Sequence, residues 1–175
     1  MFNFIVMKNN KLINLPFIAK QAIDKEDENY TFRIFLKNKS TYEVDKKIKP
    51  IADYYTKEID CTACGNCCNK IMISVDNTEI KNLAKALNED FTTCKNKYFE
   101  HSNDSDAIMI NAIPCHFLKD KKCSVYESRP SACDSFPHVH LPQFTSRLYS
   151  MIDGYGVCPI IYHSMEALKR EYNFN

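Results

Sequence analysis

The amino-acid sequence predicts a small, irregular α+β domain with short strands, a β-hairpin and peripheral helices. Three observations lead to this prediction. Nine cysteines but only three glycines stand among the 175 residues. Short runs of β-branched and aromatic residues are bounded by turn-forming residues. Other segments carry apolar residues at helical spacing. We expect an N-terminal scaffold over residues 1–58, packed on one compact cysteine-containing unit over residues 59–175.

The first 58 residues contain no cysteine and are expected to form ordinary scaffold. Pro16 can open a short helix because its fixed φ suits the first helical turn. The alternation over residues 30–36 favours a strand, which a turn at 38–40 would end. Pro50 then begins a predicted helix that ends at Glu58. Its apolar stripe is expected to pack on the cysteine unit and consists of Ile51, Tyr54, Tyr55 and Ile59.

A strand and a helix are expected after the first group of cysteines. Residues 71–75 favour a short strand. Asp76 and Glu79 then have the spacing of a capping box, which predicts the start of a helix. The apolar face of this helix is formed by Ile80, Leu83, Ala84 and Leu87. Residues 91–106 are polar and turn-rich, so we expect a surface segment in which Cys94 is a free thiol.

Residues 107–126 favour a hairpin, with a strand over 107–118, a turn over 119–122 and a returning strand over 123–126. This hairpin would place Cys115 and Cys123 on facing arms. Prolines 137 and 142 disfavour a long helix after the hairpin. A final amphipathic helix is expected over residues 160–172, with its inward face formed by Ile160, Ile161, Met165 and Leu168.

The charge balance and the lack of a long apolar segment exclude several classes of function. The net charge is +1, with 23 basic and 22 acidic side chains, so we expect no nucleic-acid partner. Residues 2–7 are apolar but too short for a signal peptide, and we expect no membrane partner and a cytoplasmic location. In a reducing compartment, nine thiols, an odd number, are poorly explained by a disulfide framework.

Eight cysteines form two groups that predict a metal site. Thiolates two residues apart can converge on one ion or cluster, because a tight loop turns their Cβ vectors inward. Gly65 lies inside the first group, where positive φ would let the loop wrap a metal. Since converging thiolates repel one another without a cation, we expect the domain to be stabilised by bound metal. The predicted ligands are Cys61, Cys64, Cys67, Cys68, Cys115, Cys123, Cys133 and Cys158.

The spacing of the first group favours an iron–sulfur cluster over zinc. Three cysteines two residues apart are typical of bacterial ferredoxins, which hold a 4Fe–4S cluster, and Cys158 is followed by proline as their fourth ligand is. Zinc sites more often combine two separate Cys-x-x-Cys pairs. Side chains of the neighbours Cys67 and Cys68 are expected to diverge, which favours two sites or a multinuclear cluster.

Arg129 and the histidines near the cysteines have alternative interpretations. Arg129 could offset the charge of several thiolates, or it could form a plain surface salt bridge. His116, His138 and His140 follow cysteines closely and could ligate zinc, but with eight thiols available we expect an indirect or surface role. Three glycines allow neither a Gly-x-Gly-x-x-Gly motif nor a P-loop.

The order of the cysteine motifs resembles the YkgJ-type cysteine-cluster family, which is described as a zinc- or iron-chelating domain. The resemblance covers residues 58–160. The matching blocks are Cys61-x-x-Cys64-Gly65-x-Cys67-Cys68, Pro114-Cys115-x-Phe117-Leu118, Cys123-x-Val125-Tyr126-x-x-Arg129-Pro130-x-x-Cys133-x-x-Phe136-Pro137 and Cys158-Pro159. It implies a metal-binding module with those eight cysteines as ligands. Asp134 departs from the pattern, because a basic residue would often follow Cys133.

Three functions are compatible with these observations, and they leave open whether the chain is an enzyme. The first is a metal-binding protein that holds an iron–sulfur cluster, with a second thiolate site. The second is an S-adenosylmethionine-dependent protein lysine methyltransferase or a subunit of one, because larger relatives implied by the resemblance include the flagellin lysine methylase. The third is a structural zinc module that presents a surface, such as residues 149–155, to a protein partner.

Overall fold

The computed structural model describes residues 10–174. The helices of this range are α1 (Leu15–Asp24), α2 (Glu26–Lys37), α3 (Thr41–Glu58), α4 (Cys61–Cys64), α5 (Asn77–Leu87), α6 (Phe91–Tyr98), α7 (Ser131–Ser135), α8 (Leu148–Tyr155) and α9 (Pro159–Glu171). The strands are β1 (Ser74–Val75), β2 (Phe99–His101), β3 (Ile108–Ile110), β4 (Leu118–Lys119) and β5 (Lys122–Cys123). The predicted α+β class with short strands and a hairpin is confirmed. No helix of the described residues is both long enough and apolar enough to cross a membrane.

The chain forms two compact units. The first contains the described residues up to Asp60 together with those from Pro137 onward, and the second is Cys61–Phe136. The C-terminal helices belong to the same unit as the N-terminal helices, because α9 packs against α3 and α8. The expected division of the chain at residue 58 stays a prediction.

The first unit is a helical assembly with its own apolar core. Helix α1 begins with Pro16 in its first turn, as predicted, and the Asn14 side chain accepts a hydrogen bond from the Phe17 N–H at 3.2 Å. Helix α9 confirms the predicted C-terminal helix. Its four predicted inward residues are all buried, and they are Ile160, Ile161, Met165 and Leu168.

The strand predicted over residues 30–36 is wrong, because this segment belongs to α2. Asn29, Phe32 and Leu36 are buried, at intervals of three and four residues, whereas Tyr30 and Ile34 are exposed. The apolar pattern therefore follows the helical period rather than the two-residue period of a strand.

Helix α3 begins before the position that the sequence indicated. It starts at Thr41, so Pro50 lies inside the helix instead of opening it. Its buried face consists of Val44, Ile48 and Ala52, and Tyr54 of the predicted stripe is exposed. Proline lacks a backbone N–H and normally interrupts a helix, but here the helix continues with its apolar face inward.

The second unit contains a small antiparallel sheet with the strand order β1-β3-β2. Met109 at its centre pairs with Ser74 on one side and Glu100 on the other. The predicted capping box is confirmed, because the Asp76 side chain accepts from the Glu79 N–H at 2.8 Å and the Glu79 side chain accepts from the Asp76 N–H at 2.9 Å. Ile80, Leu83 and Ala84 on the predicted face of α5 are buried.

The predicted polar segment over residues 91–106 is mostly exposed, as expected, but its first part forms regular structure instead of turns, and Cys94 is buried. Asp90 caps α6 by accepting from the Thr93 N–H at 3.0 Å, and α6 leads directly into β2. Cys94 has no exposed surface and packs in the core with Ile80 and Phe99. Cys94 and Phe99 are the two side chains of this segment that are buried, and both belong to the apolar core of the unit.

The predicted hairpin exists but is shorter than expected. Leu118 of β4 pairs with Cys123 of β5, and Asp120 and Lys121 turn the chain with φ of 48° and 65°. These positive φ values are those of the tight turns that suit the twist of a hairpin. Cys115 precedes β4 and is not on a hairpin arm, because Pro114 cannot donate to a strand ladder and the preceding strand ends at Ile110.

Candidate metal centre

The first group of cysteines lies on a helical turn that Gly65 ends. The Gly65 N–H donates to the Cys61 carbonyl at 3.2 Å, and the chain then leaves α4 with a Gly65 φ of 61°. A Cβ at this position would lie 2.6 Å from the Lys121 carbonyl oxygen. The loop therefore lies directly against the hairpin turn. Both the positive φ at position 65 and the small space there require glycine.

Cys67 and Cys68 lie on a 3-10 turn, Cys67–Asn69, in which their Sγ atoms are 4.0 Å apart. The expectation that these neighbouring side chains diverge is therefore wrong, because it assumed a non-helical segment. The Asn69 side-chain amide donates to the Gly65 carbonyl at 3.1 Å and so closes the loop between the two turns.

Three further segments carry cysteines of the second unit, namely the segment before β4, strand β5 and helix α7. The Cys115 N–H donates to the Cys68 carbonyl at 2.8 Å, which joins the segment before β4 to the first group. Helix α4 contacts β5, the strand that carries Cys123. Cys133 lies on α7, where its N–H donates to the Pro130 carbonyl at 2.9 Å.

Helix α7 is hydrogen-bonded to α5, the helix that follows the first group of cysteines. The Glu79 carboxylate of α5 accepts from the Ser131 N–H at 2.8 Å, at the start of α7. Burial opposes ionisation of Glu79, but hydrogen bonds from Ser131 and Asp76 outweigh it and lower the pKa of this carboxyl. Glu79 thus serves both the capping box and the position of Cys133.

Cys68 is an electrostatic neighbour of four other thiols of the second unit, Cys64, Cys115, Cys123 and Cys133. Burial is the main cause that raises the pKa of each of these four thiols, and repulsion from Cys68 adds to it. Burial and repulsion raise the pKa of Cys133 to about 12. We define the Cys68 group as Cys64, Cys67, Cys68, Cys115, Cys123 and Cys133.

The donor chemistry of the Cys68 group fits zinc and iron. Thiolates are the soft ligands that both metals use in proteins. None of the six cysteines forms a disulfide. In tetrahedral thiolate coordination with zinc–sulfur bonds of about 2.3 Å, ligand sulfurs lie about 3.8 Å apart, close to the 4.0 Å between Cys67 and Cys68. Among the described residues, however, no three histidine, cysteine, aspartate or glutamate side chains are already arranged to hold an ion.

Cys61 and Cys158 are the predicted ligands outside the Cys68 group. Cys61 is exposed at the start of α4, in the second unit. Cys158 is buried in the first unit, where it precedes α9 and its N–H donates to the Gly154 carbonyl at 2.8 Å. Their roles as ligands stay predictions.

Two cations accompany the Cys68 group. Arg129 lies 3.8 Å over the ring of Tyr126 and forms an ion pair with Asp134. Its positive charge acts to lower the pKa of Cys123 and of Cys133. Asp134, where the sequence departs from the family pattern, is thus the partner of this arginine. The positive charge of Lys121 acts to lower the pKa of Cys64. Lys121 was not among the predicted site residues, although its position in a lysine-rich turn between two cysteines could have indicated it.

Cys94 and His116 of the second unit also lie outside the Cys68 group. Cys94 packs in the apolar core, with its Sγ 4.0 Å from the Ile80 carbonyl oxygen. His116 forms a hydrogen bond with the Asn111 side chain at 2.6 Å and contacts the ring of Tyr98. His138 and His140 are in the first unit.

Fold and site together define a small α+β protein with a cysteine-rich chelating region. The chain belongs to the CxxCxxCC family, described as "Putative zinc- or iron-chelating domain", whose model matches residues 60–153. This match confirms the resemblance that the cysteine motifs indicated, and it contains the whole Cys68 group. The comparison with curated proteins gave no match, and neither did the comparison with solved structures.

Proposed function

We propose that the Cys68 group binds the metal of this chelating domain and that its native occupant is an iron–sulfur cluster. One observation carries the proposal: Cys67 lies 4.0 Å from Cys68, and Cys64, Cys115, Cys123 and Cys133, on four segments of the second unit, are electrostatic neighbours of Cys68. Two backbone contacts join these segments. One is the hydrogen bond from Cys115 to Cys68, and the other is the close approach of Gly65 to Lys121. The cysteines would therefore converge without a large rearrangement of the chain.

The spacing of the thiols supports iron–sulfur ligation. Cys64 and Cys67 of the Cys68 group, together with Cys61 just before it, have ferredoxin spacing and can supply three corners of a cluster. A cysteine from another segment can complete it. Lys121 and Arg129 would offset part of the negative charge of the bound thiolates. Such a cluster, when bound, supplies one-electron chemistry or a structural crosslink.

Zinc is the second candidate, and the distance between Cys67 and Cys68 favours it. Their Sγ atoms are 4.0 Å apart, which suits two ligands of one tetrahedral ion. A cluster that binds each cysteine through a different iron requires a wider separation of the sulfurs. The two candidates therefore differ in whether Cys67 and Cys68 share a metal ion.

Metal analysis of protein purified without oxygen distinguishes the candidates. We expect a brown protein that contains iron and acid-labile sulfide, with visible absorption that disappears on oxidation. A colourless protein with stoichiometric zinc would establish the second candidate instead. Protein that contains neither metal, and takes up neither when supplied with iron and sulfide or with zinc, would contradict the proposal.

Cysteine variants test which thiols hold the metal. Cys68→Ser is expected to lower metal affinity at least about tenfold, because a central ligand is lost. Cys94→Ala is the matched control, since it removes a buried thiol of the same unit that lies outside the Cys68 group. Circular dichroism would verify that both variants are folded. Full metal retention in Cys68→Ser, or equal loss in Cys94→Ala, would contradict the assignment.

The methyl-transfer alternative stays a prediction with its own test. Calorimetric titration of metal-loaded protein with S-adenosylmethionine would reveal a cofactor site. Absence of binding would remove this alternative and leave the metal proposal unaffected.

A further inference from the structure

Two helices of the first unit each expose a row of side chains at four-residue spacing. On α2 the row is Glu26, Tyr30 and Ile34, and on α8 it is Tyr149 and Asp153. Residues four apart lie on the same side of a helix, so each row forms one continuous strip. Helices α2 and α8 are in contact, and Tyr149 is the main electrostatic neighbour of Tyr30. We call these five residues the Tyr30–Tyr149 patch.

The apolar members of the patch are exposed beside a well-packed core. Tyr149 is 57% exposed and Ile34 is 60% exposed, whereas Phe32 and Leu36 on the opposite side of α2 have no exposed surface. The core of this helix is therefore already complete without Tyr30 and Ile34. Adjacent exposed aromatic and aliphatic side chains are typical of binding surfaces, where tyrosine provides a large contact area at low entropic cost.

Carboxylates give one end of the patch a negative charge. Glu26 and Asp153 are the charged groups that act on Tyr30. Both carboxylates are exposed, and within the part of the chain that the structure describes neither has an ion-pair partner. Lys37 lies one turn beyond Ile34, at the other end of α2. The surface thus combines two tyrosines and two unneutralised carboxylates at one end with an isoleucine further along.

We propose that the Tyr30–Tyr149 patch docks a protein partner through a segment that carries basic side chains next to an apolar one. A lysine or arginine can lie over a tyrosine ring and contact Glu26 or Asp153 at the same time. The neighbouring apolar side chain would cover Ile34 and remove it from water. The proposal goes beyond metal binding and does not depend on it, since all five residues belong to the first unit.

A pair of labelled peptides tests the charge and the apolar part of this surface. The first peptide is short and helical and carries lysines and leucines on one side, and the second has glutamate in place of every lysine. Fluorescence polarisation is expected to show that the lysine peptide binds and that added salt weakens it, because the contact is partly electrostatic. Absence of binding, or equal binding of the glutamate peptide, would overturn the proposal.

Variants of the patch locate the binding. Tyr149→Ala and Ile34→Ala are each expected to weaken binding of the lysine peptide about tenfold, and Asp153→Asn about threefold. Tyr42→Ala is the control, because Tyr42 is an exposed tyrosine of α3 outside the patch. Equal affinity of the patch variants and the control would overturn the proposal. So would a concentration-dependent dimer that Tyr149→Ala abolishes, since the occupant would then be a second copy of the chain.

Discussion

Gly65 shows how one residue can decide the geometry of the cysteine loop. It follows the first two cysteines, takes a positive φ, and leaves no room for a side chain against the Lys121 carbonyl. The turn and the close approach together place the cysteine loop on the hairpin that carries Cys123. A change at Gly65 should therefore affect stability and metal binding together.

Gly65→Ala is expected to lower the free energy of unfolding by about 3 kcal/mol, because alanine disfavours left-handed backbone and its methyl group would meet a carbonyl oxygen. Urea unfolding measures this change, and metal content is expected to fall with it. Asn88→Gly serves as the control, since Asn88 ends α5 with a φ of 56° and glycine relieves that conformation. A loss below about 0.5 kcal/mol in Gly65→Ala would contradict this account.

Among the elements, α9 is joined to α2 and α8 by a buried charged network. Lys169 donates to Glu28 and Asn29 of α2 at 2.7 Å each and forms an ion pair with Glu166 at 2.8 Å. Glu166 also accepts from the Tyr155 hydroxyl at 2.8 Å. The Lys169 ammonium thus has two hydrogen-bond acceptors and a carboxylate partner, which makes its burial tolerable.

The same network makes the stability of the first unit depend on pH. Burial opposes ionisation of Glu166, but hydrogen bonds from Lys169, Lys25 and Tyr155 outweigh it, so its pKa lies below the ordinary value of 4.5. A lowered pKa in the folded state stabilises the protein above pH 4.5 and loses this effect as pH falls through the lowered value. We therefore expect stability to decrease as the pH falls below about 4.5.

Glu166→Gln is expected to reduce stability at neutral pH by about 2 kcal/mol and to make its decrease in acid shallower. Urea midpoints between neutral pH and about pH 3 measure both effects. Glu171→Gln is the matched control, because Glu171 lies on the same helix but is mostly exposed and 3.8 Å from Lys47. An acid slope in Glu166→Gln as steep as that of the unsubstituted protein would show that other groups cause it.

At the scale of the whole molecule, the two units differ in what stabilises them. The first has an apolar core between its helices. In the second, α5, α6 and the sheet surround a core that includes Ile80, Leu83 and Ile110. The segments that carry the Cys68 group have short regular elements, such as α4 and the hairpin of β4 and β5. We expect bound metal to stabilise these segments most.

Removal of the metal is therefore expected to increase hydrogen exchange locally. After treatment with a chelator, amides in residues 61–71 and 112–136 should exchange at least about tenfold faster, since their opening would no longer break metal–thiolate bonds. Amides of α5 and α9 should change little, and they serve as internal controls. Mass spectrometry of peptic fragments measures both. Unchanged exchange in the cysteine segments would show that the metal does not support them.

Some features of this protein follow from neighbouring residues along the chain and were therefore predictable. The capping box of Asp76 and Glu79 depends on two side chains and two amides in one turn. The final helix repeats its apolar residues at a regular period over several turns. The first four cysteines are close in sequence, so a chelating domain could be predicted without a structure, and the matched family is described as one.

Packing between distant segments decided the rest. Residues 30–36 are compatible with either period, and the burial of Phe32 and Leu36 selected the helix. Cys94 was assigned to the surface because its neighbours are polar, yet its side chain is buried in the apolar core of the second unit. The sequence alone determined that this chain carries cysteines suited to chelation. Only the tertiary structure joined Cys68 to Cys115 and Gly65 to Lys121, because such contacts depend on which surfaces bury each other and not on local spacing.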